Sequence, residues 1–325
     1  MRKISILCAV VSAVAALAAP GRAGVDVGVS DMSGSDSYQS VRANASVDIG
    51  QWTLTPDYTR YHTAFTNGTY NDYGLRLGYN DGPLALGARG SVMPKVDGYS
   101  QGSAGVDATF TLNPGHSRQG AKLAGPDSGG SAGNSSAALS MMEAEGMPYI
   151  DTGLGRVDIG VSANEVMHQD DLQAAAGANP LDGATTSRGK TFDLGETDLS
   201  VYGGMEFLFT ELSAQVTKSA YDRSLSGESL RAAPFLTLAG VDGIEQGYPD
   251  LSYNLRLKWD VLPVVHPFIT FTHTTYQLGE SPSDAFELGG AVSLQMLRVT
   301  AGYEHFAQSG TIARDYLMLG AGLGF

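Results

Sequence analysis

Ionisable side chains recur at alternate positions in stretches whose other positions are apolar, and that spacing is the chemically telling property of this 325-residue chain. Asp26, Arg42, Asp48, Asp57, Arg76, Arg89, Asp107, Asp158, Asp198, Glu206, Arg256, Lys258, Asp260, Glu287, Arg298 and Glu304 fall this way, ten acids and six bases. A period of two places such residues on one face of extended segments, opposite the apolar face. A wall of mixed charge set among Thr, Ser, Asn and Gly is either wetted, as in a diffusion channel, or closed by internal ion pairs. Its small acidic excess favours cations over anions.

Other chemistries fit less well. Nucleophilic catalysis has one candidate, His305 and Ser309 in YEHFAQSG, with Glu304 beside them. Residues four apart share a strand face. His305, however, takes the parity of the apolar face and Ser309 falls at the end of its segment, so no enzyme is expected. His62 and His273 stand singly near segment ends, and His168 heads an acidic stretch with no evident partner. That stretch, 168–198, carries Asp170, Asp171, Asp182, Asp193, Glu196 and Asp198 against Arg188 and Lys190, and reads as an external loop. Its carboxylates could hold a divalent cation against lipid phosphates, but a solvated loop is the plainer reading. No EF-hand spacing or His-rich cluster is present, so neither metal nor cofactor is expected. Gly320-x-Gly322-x-Gly324 precedes no helix and reads as small residues on the inward face.

The elements that must carry the alternating charges are strands. Leu251, Tyr253, Leu255, Leu257 and Trp259 interleave with Ser252, Asn254, Arg256, Lys258 and Asp260. Tyr73, Leu75, Leu77 and Tyr79 alternate with Gly74, Arg76 and Gly78, and Ala104, Val106, Ala108, Phe110 and Leu112 alternate with Gly105, Asp107, Thr109 and Thr111. The same rhythm covers 24–30, 40–50, 51–63, 83–94, 156–167, 197–209, 211–221, 265–277, 284–295 and 297–306. Each segment is close to the ~9–11 residues a tilted strand needs to cross a bilayer. A soluble sandwich also alternates. Tight connections at Gly50-Gln51, Asp81-Gly82, Thr210-Glu211, Leu262-Pro263 and Gln295-Met296 decide against it, because they alternate with long polar stretches at 32–37, 64–71, 168–194, 222–249 and 278–283. Short turns at one end and long loops at the other belong to barrels in outer membranes. Near the short turns sit Trp52, Tyr79, Phe207, Phe209 and Trp259, an aromatic girdle at a membrane–water boundary.

Composition agrees. Gly is 42 of 325, charged residues are 17% and mean hydropathy is −0.07. No apolar run outside the leader is long enough for a spanning helix. The net charge of −14 argues against nucleic acid as a partner. Arg2 and Lys3, the apolar run 4–19 and the small residues at 16–18 and 21–23 form a secretory signal peptide over 1–23. Cys8, the single cysteine, lies inside it, so the processed chain has no disulfide or thiolate site.

Phe325, Leu323, Ala321, Leu319 and Leu317 alternate with Gly324, Gly322, Gly320, Met318 and Tyr316, an oily strand face running to the carboxylate. With the cleavable signal and the Gly-rich alternating strands, this segment resembles that of Gram-negative outer-membrane β-barrel proteins. The resemblance implies that Phe325, Leu323, Leu319 and Leu317 form the signal read by the barrel-assembly machinery, with Ala321 a weaker fit. It further implies the bacterial outer membrane as location, with its lipids and lipopolysaccharide as neighbours. The outer-membrane phospholipase and lipid A deacylase place His and Ser two apart on one strand, a pattern His305 and Ser309 do not keep.

The expected fold is therefore all-β, a transmembrane antiparallel up-and-down barrel over 24–325 with about fourteen strands, twelve or sixteen being the alternatives. Residues 231–241 could add a strand or belong to a loop. Residues 113–148, with GPDSGGSAGNSS at 125–136, read as a flexible Gly/Ser-rich insertion on the short-turn side, or as a segment folding into the lumen. About fourteen strands enclose more space than side chains alone fill. The expected function is a porin-like channel for small hydrophilic solutes or ions. The alternatives are a structural or adhesion barrel with ligand-binding loops and, further off, a barrel enzyme acting on lipid or lipopolysaccharide.

Overall fold

In a computed structural model, the described residues are 24–63, 68–112, 123–125, 154–172, 190–207, 209–223, 248–259, 264–277, 281–294, 296–310 and 313–324. The expected signal peptide 1–23, residues 231–241, Asp260, Phe325 and most of 113–148 lie outside them. Fourteen strands follow one another: β1 (Val25–Gly34), β2 (Gln39–Ile49), β3 (Trp52–His62), β4 (Tyr70–Asp81), β5 (Leu84–Val96), β6 (Tyr99–Leu112) and β7 (Leu154–Leu172) make the first half. β8 (Lys190–Phe207), β9 (Thr210–Tyr221), β10 (Pro249–Trp259), β11 (Val265–Tyr276), β12 (Ser283–Leu294), β13 (Leu297–Gln308) and β14 (Arg314–Gly324) make the second. Each pairs antiparallel with its sequence neighbours, and β14 returns to β1 to close the barrel. Closure leaves no strand edge, so the ladder satisfies the backbone without water, as a membrane demands.

The outer surface is the apolar set. Leu75, Leu77, Val106, Leu199, Val201, Leu255, Leu288, Leu317 and Leu319 all point outward and are exposed. Toward the tight turns, Trp52 packs on Tyr79 with ring centroids 4.9 Å apart, and Phe207 and Phe209 are exposed nearby. At the other rim, Tyr58 and Tyr73 pair at 5.3 Å, and Tyr253 and Tyr303 also face out. An apolar band between two aromatic girdles makes this a transmembrane barrel.

The seam is fastened at the loop-side rim. Arg314 Nε donates to Asp36 Oδ2 at 2.7 Å, the Asp315 amide donates to Ser35 Oγ at 3.0 Å, and Tyr38 meets Tyr316 edge-on at 5.6 Å. A second loop-side connection is tighter than expected. Asp97 and Gly98 both have positive φ (50° and 89°), so β5 and β6 join by a two-residue turn of the kind that matches strand twist.

Candidate functional site: the barrel lumen

Inward parity collects the charged residues in the lumen. Arg42, Asp107, Asp158, Asp198, Arg256, Lys258, Glu287 and Glu304 are buried there, and Asp48, Asp57, Arg76, Arg89, Glu206 and Arg298 are half-buried on the same face. Register then sorts them. Arg76 pairs with Asp107 (2.9 Å), Arg42 with Asp57 (3.6 Å) and Arg298 with Asp26 (3.9 Å), while Lys258 reaches Glu211 (2.8 Å), which stands across from Glu206. Thr53 donates to Asp48, and Ser219 donates to Asp198 at 2.7 Å. Arg76 lies over Gly87 and Arg89 over Gly105, where an added Cβ would meet the guanidinium. Those glycines are the space the arginines occupy.

The lumen has two unlike sides. From β13 through β1 to β6, Met32, Tyr38, Tyr61, Tyr70, Met93, Tyr99, Phe306, Tyr316 and Met318 form one buried apolar cluster near the loop-side rim. Tyr61 and Tyr70 stack at 5.3 Å, and Tyr61 donates to Met93 Sδ at 3.3 Å. From β8 to β11 hydroxyls and amides line the wall among the charges of Asp198, Glu211, Arg256 and Lys258. Ser200 bonds Thr217 at 2.8 Å, Ser252 bonds Thr274 at 3.2 Å, and Asn254 donates to Thr272 at 2.8 Å.

Near the tight-turn end, Asp158 is wholly buried and holds a segment inside the barrel. It accepts from Arg156 Nε and Nη2 (2.8 and 2.7 Å), from Thr111 Oγ1 (2.8 Å) and from the Leu123 amide (2.9 Å). Four donors fill the acceptor sites of one carboxylate. Leu123, Ala124 and Gly125 are buried against this wall. An added Cβ at Gly204 would come within 2.5 Å of Leu123 Cβ, and one at Gly160 would strike the Tyr202 ring. Tyr202 is itself held by Thr109 at 2.9 Å. Residues 123–125, inside the stretch expected to be a flexible insertion, thus sit against inward Gly204 and against the Tyr202 ring, for which Gly160 leaves room.

The acidic stretch 168–198 is not wholly a loop. β7 runs to Leu172 and β8 begins at Lys190, so Glu196 and Asp198 point into the barrel. Their charge does not break the strands because each finds donors inside. His168, expected to lack a partner, bonds Tyr99 through Nδ1 (2.7 Å) and Glu196 through Nε2 (2.9 Å), and Tyr221 donates to Glu196 at 3.1 Å. This buried chain braces β6 to β9 where β7 and β8 rise past their neighbours. Glu196→Ala strips acceptors from His168 and Tyr221, and is expected to cost about 1–3 kcal/mol in urea unfolding of the refolded barrel. An unchanged midpoint would show the chain to be idle.

His305 and Ser309 do not assemble a catalytic pair. His305 faces outward and bonds Asp315 (2.8 Å), which also accepts from Tyr303 (2.6 Å), while Ser309 lies in the turn after β13. Arg156, Glu196, Glu211, His168 and Tyr202 are lumen residues missed by the expected set. Arg156 shares a face with Asp158 two residues on, so its parity was available.

No protein-family model and no curated protein sequence matches the chain. Among solved structures, it is similar to CdiB from Acinetobacter baumannii (10% identity, TM-score 0.48), over 94% of this chain and 60% of that one. It is also similar to KdgM porin (4% identity, TM-score 0.42; 92% of this chain, 99% of that chain). A third is the outer membrane protein opdK from Pseudomonas aeruginosa (10% identity, TM-score 0.35; 93% and 98%). The chain thus spans 60% of the length of the CdiB chain.

Proposed function

We propose that the protein is an outer-membrane channel for passive passage of small hydrophilic solutes or ions. One observation carries this reading: a closed fourteen-strand wall is apolar outside and lined inside by charges, hydroxyls and amides. Fourteen strands enclose more space than side chains alone fill, and a polar lining supplies hydrogen-bond partners that can stand in for a solute's water. The β8–β11 wall offers such partners in series, and the Tyr–Met cluster opposite leaves that side as the route. The outer membrane is the location that suits an apolar band between aromatic girdles on a closed barrel. Leu317, Leu319 and Leu323 face outward on β14, where the assembly machinery and surrounding lipid would meet them.

Purified protein in planar bilayers should give discrete conductance steps, and proteoliposomes should swell in small amino acids and monosaccharides more than in disaccharides. Silence in both assays by correctly folded protein would overturn the reading.

A further inference from the structure

Arg256, Thr270, Glu287, Glu304 and Tyr316 stand in one register row across β10 to β14, each directly opposite the next. The row places two inward carboxylates, Glu287 and Glu304, side by side at 5% and 4% exposure. Residues directly opposite on one sheet face bring their Cβ atoms to about 4.5–5.5 Å, close enough for both carboxylates to reach one small ligand. Arg256 is within electrostatic reach of Glu287 and is held over the Phe268 ring, 5.1 Å from its centroid.

The oxygens are arranged for a ligand that accepts electron density. Gly302 lies inward on β13 between Thr300 and Glu304, and a Cβ there would come 3.5 Å from Glu287 Oε1. Glu287 therefore extends one oxygen over the bare backbone of Gly302, flanked by Thr300 on one side and Glu304 on the other. That Oε1 and the Thr300 hydroxyl are both buried without a hydrogen-bond partner among the described residues, and Thr300 is 1% exposed. Buried oxygens left so are costly unless something positive meets them. Phe268 and Met318 close the apolar sides of the place, since a Cβ at Gly289 would strike the Phe268 ring and one at Gly302 would come 3.0 Å from Met318 Cε. Among the described residues no group of three or more His, Cys, Asp and Glu gathers, so the set lacks the many carboxylates of a tight divalent site.

We propose that Glu287, Glu304 and Thr300 form an alkali-cation station in the lumen. It rests on the channel reading and gives it a substrate class, monovalent cations. Two adjacent carboxylates with hydroxyl help replace part of the ion's hydration, and the nearby guanidinium keeps the site weak enough to release it.

Under a KCl gradient across a planar bilayer, wild type should be cation-selective. Glu287→Gln/Glu304→Gln should lower the K⁺/Cl⁻ permeability ratio at least about threefold, since acidic rings set cation preference. Arg256→Gln should raise it. Single Glu287→Gln and Glu304→Gln variants, verified as folded by heat-modifiable mobility, serve if the double variant does not assemble. An unchanged reversal potential in folded, conducting carboxamide variants overturns the inference. Rb⁺-soaked crystals give a readout that needs no conductance. An anomalous peak between Glu287 and Glu304 supports the station and its absence in wild type overturns it, whereas wild-type protein that does not conduct overturns the channel reading.

Discussion

Leu255→Arg should lower the unfolding free energy of the barrel in phospholipid by about 2–4 kcal/mol, the cost of an arginine near the middle of a bilayer on a lipid-facing strand. Leu255 lies on β10 between outward Tyr253 and Trp259, with one aromatic toward each girdle, and is 50% exposed. That exposure is to acyl chains if the barrel spans a membrane and to water if it does not. In water the same change would shed an exposed leucine and gain a solvated charge, so its effect would be near zero or favourable. The sign therefore reports the solvent. Urea titration of protein refolded into short-chain lipid vesicles measures it, with Thr272→Ser as a lumen control. A Leu255→Arg barrel as stable as wild type would remove the bilayer from the account.

The same solvent logic explains what the chain makes legible before folding. Lipid outside and polar groups inside impose opposite demands on neighbouring residues, so alternation marks almost every strand and assigns Arg76, Arg256 or Glu304 to the lumen without knowledge of register. Tight turns are legible for the same local reason at Gly50-Gln51, whereas Thr210 and Glu211 belong to β9 and their connection falls before Thr210; the turn at Asp97-Gly98 carries a stronger hairpin signal. What remained hidden depends on which strand lies beside which. Arg76 meets Asp107 two strands away, over a glycine, and no spacing in the sequence foretells it. The acidic run 168–198 has the composition of a loop, which hides His168 and Glu196 as lumen partners. In this barrel β7 and β8 extend far enough to bury that charge against Tyr99 and Tyr221. Gly204 looks like an ordinary small inward residue until the chain at Leu123 is placed against it, and Gly160 until the Tyr202 ring is placed against it.

That last contact leads to a second large effect. Asp158→Ala should destabilise the barrel by about 3–5 kcal/mol, because it leaves the buried Arg156 guanidinium without its counter-charge. Thr111 and the Leu123 amide lose their acceptor in the same step. Asp158→Asn separates these contributions. An amide oxygen can still accept from Leu123 or Thr111 but presents no charge and a single acceptor oxygen to Arg156, so the loss should fall to about 1.5–3 kcal/mol. The two variants should also differ in conductance if residues 123–125 narrow the lumen. Asp158→Ala frees the Leu123 amide from the wall and should raise single-channel conductance, whereas Asp158→Asn should change it less. Gly204→Ala gives an independent check, since its methyl would come within 2.5 Å of Leu123 Cβ and push it from the wall without touching the Arg156–Asp158 pair. It should raise conductance with only a small change in urea midpoint. If both Asp158→Ala and Gly204→Ala conduct as wild type does, the Leu123–Gly125 contact is a feature of the fold and not of the passage.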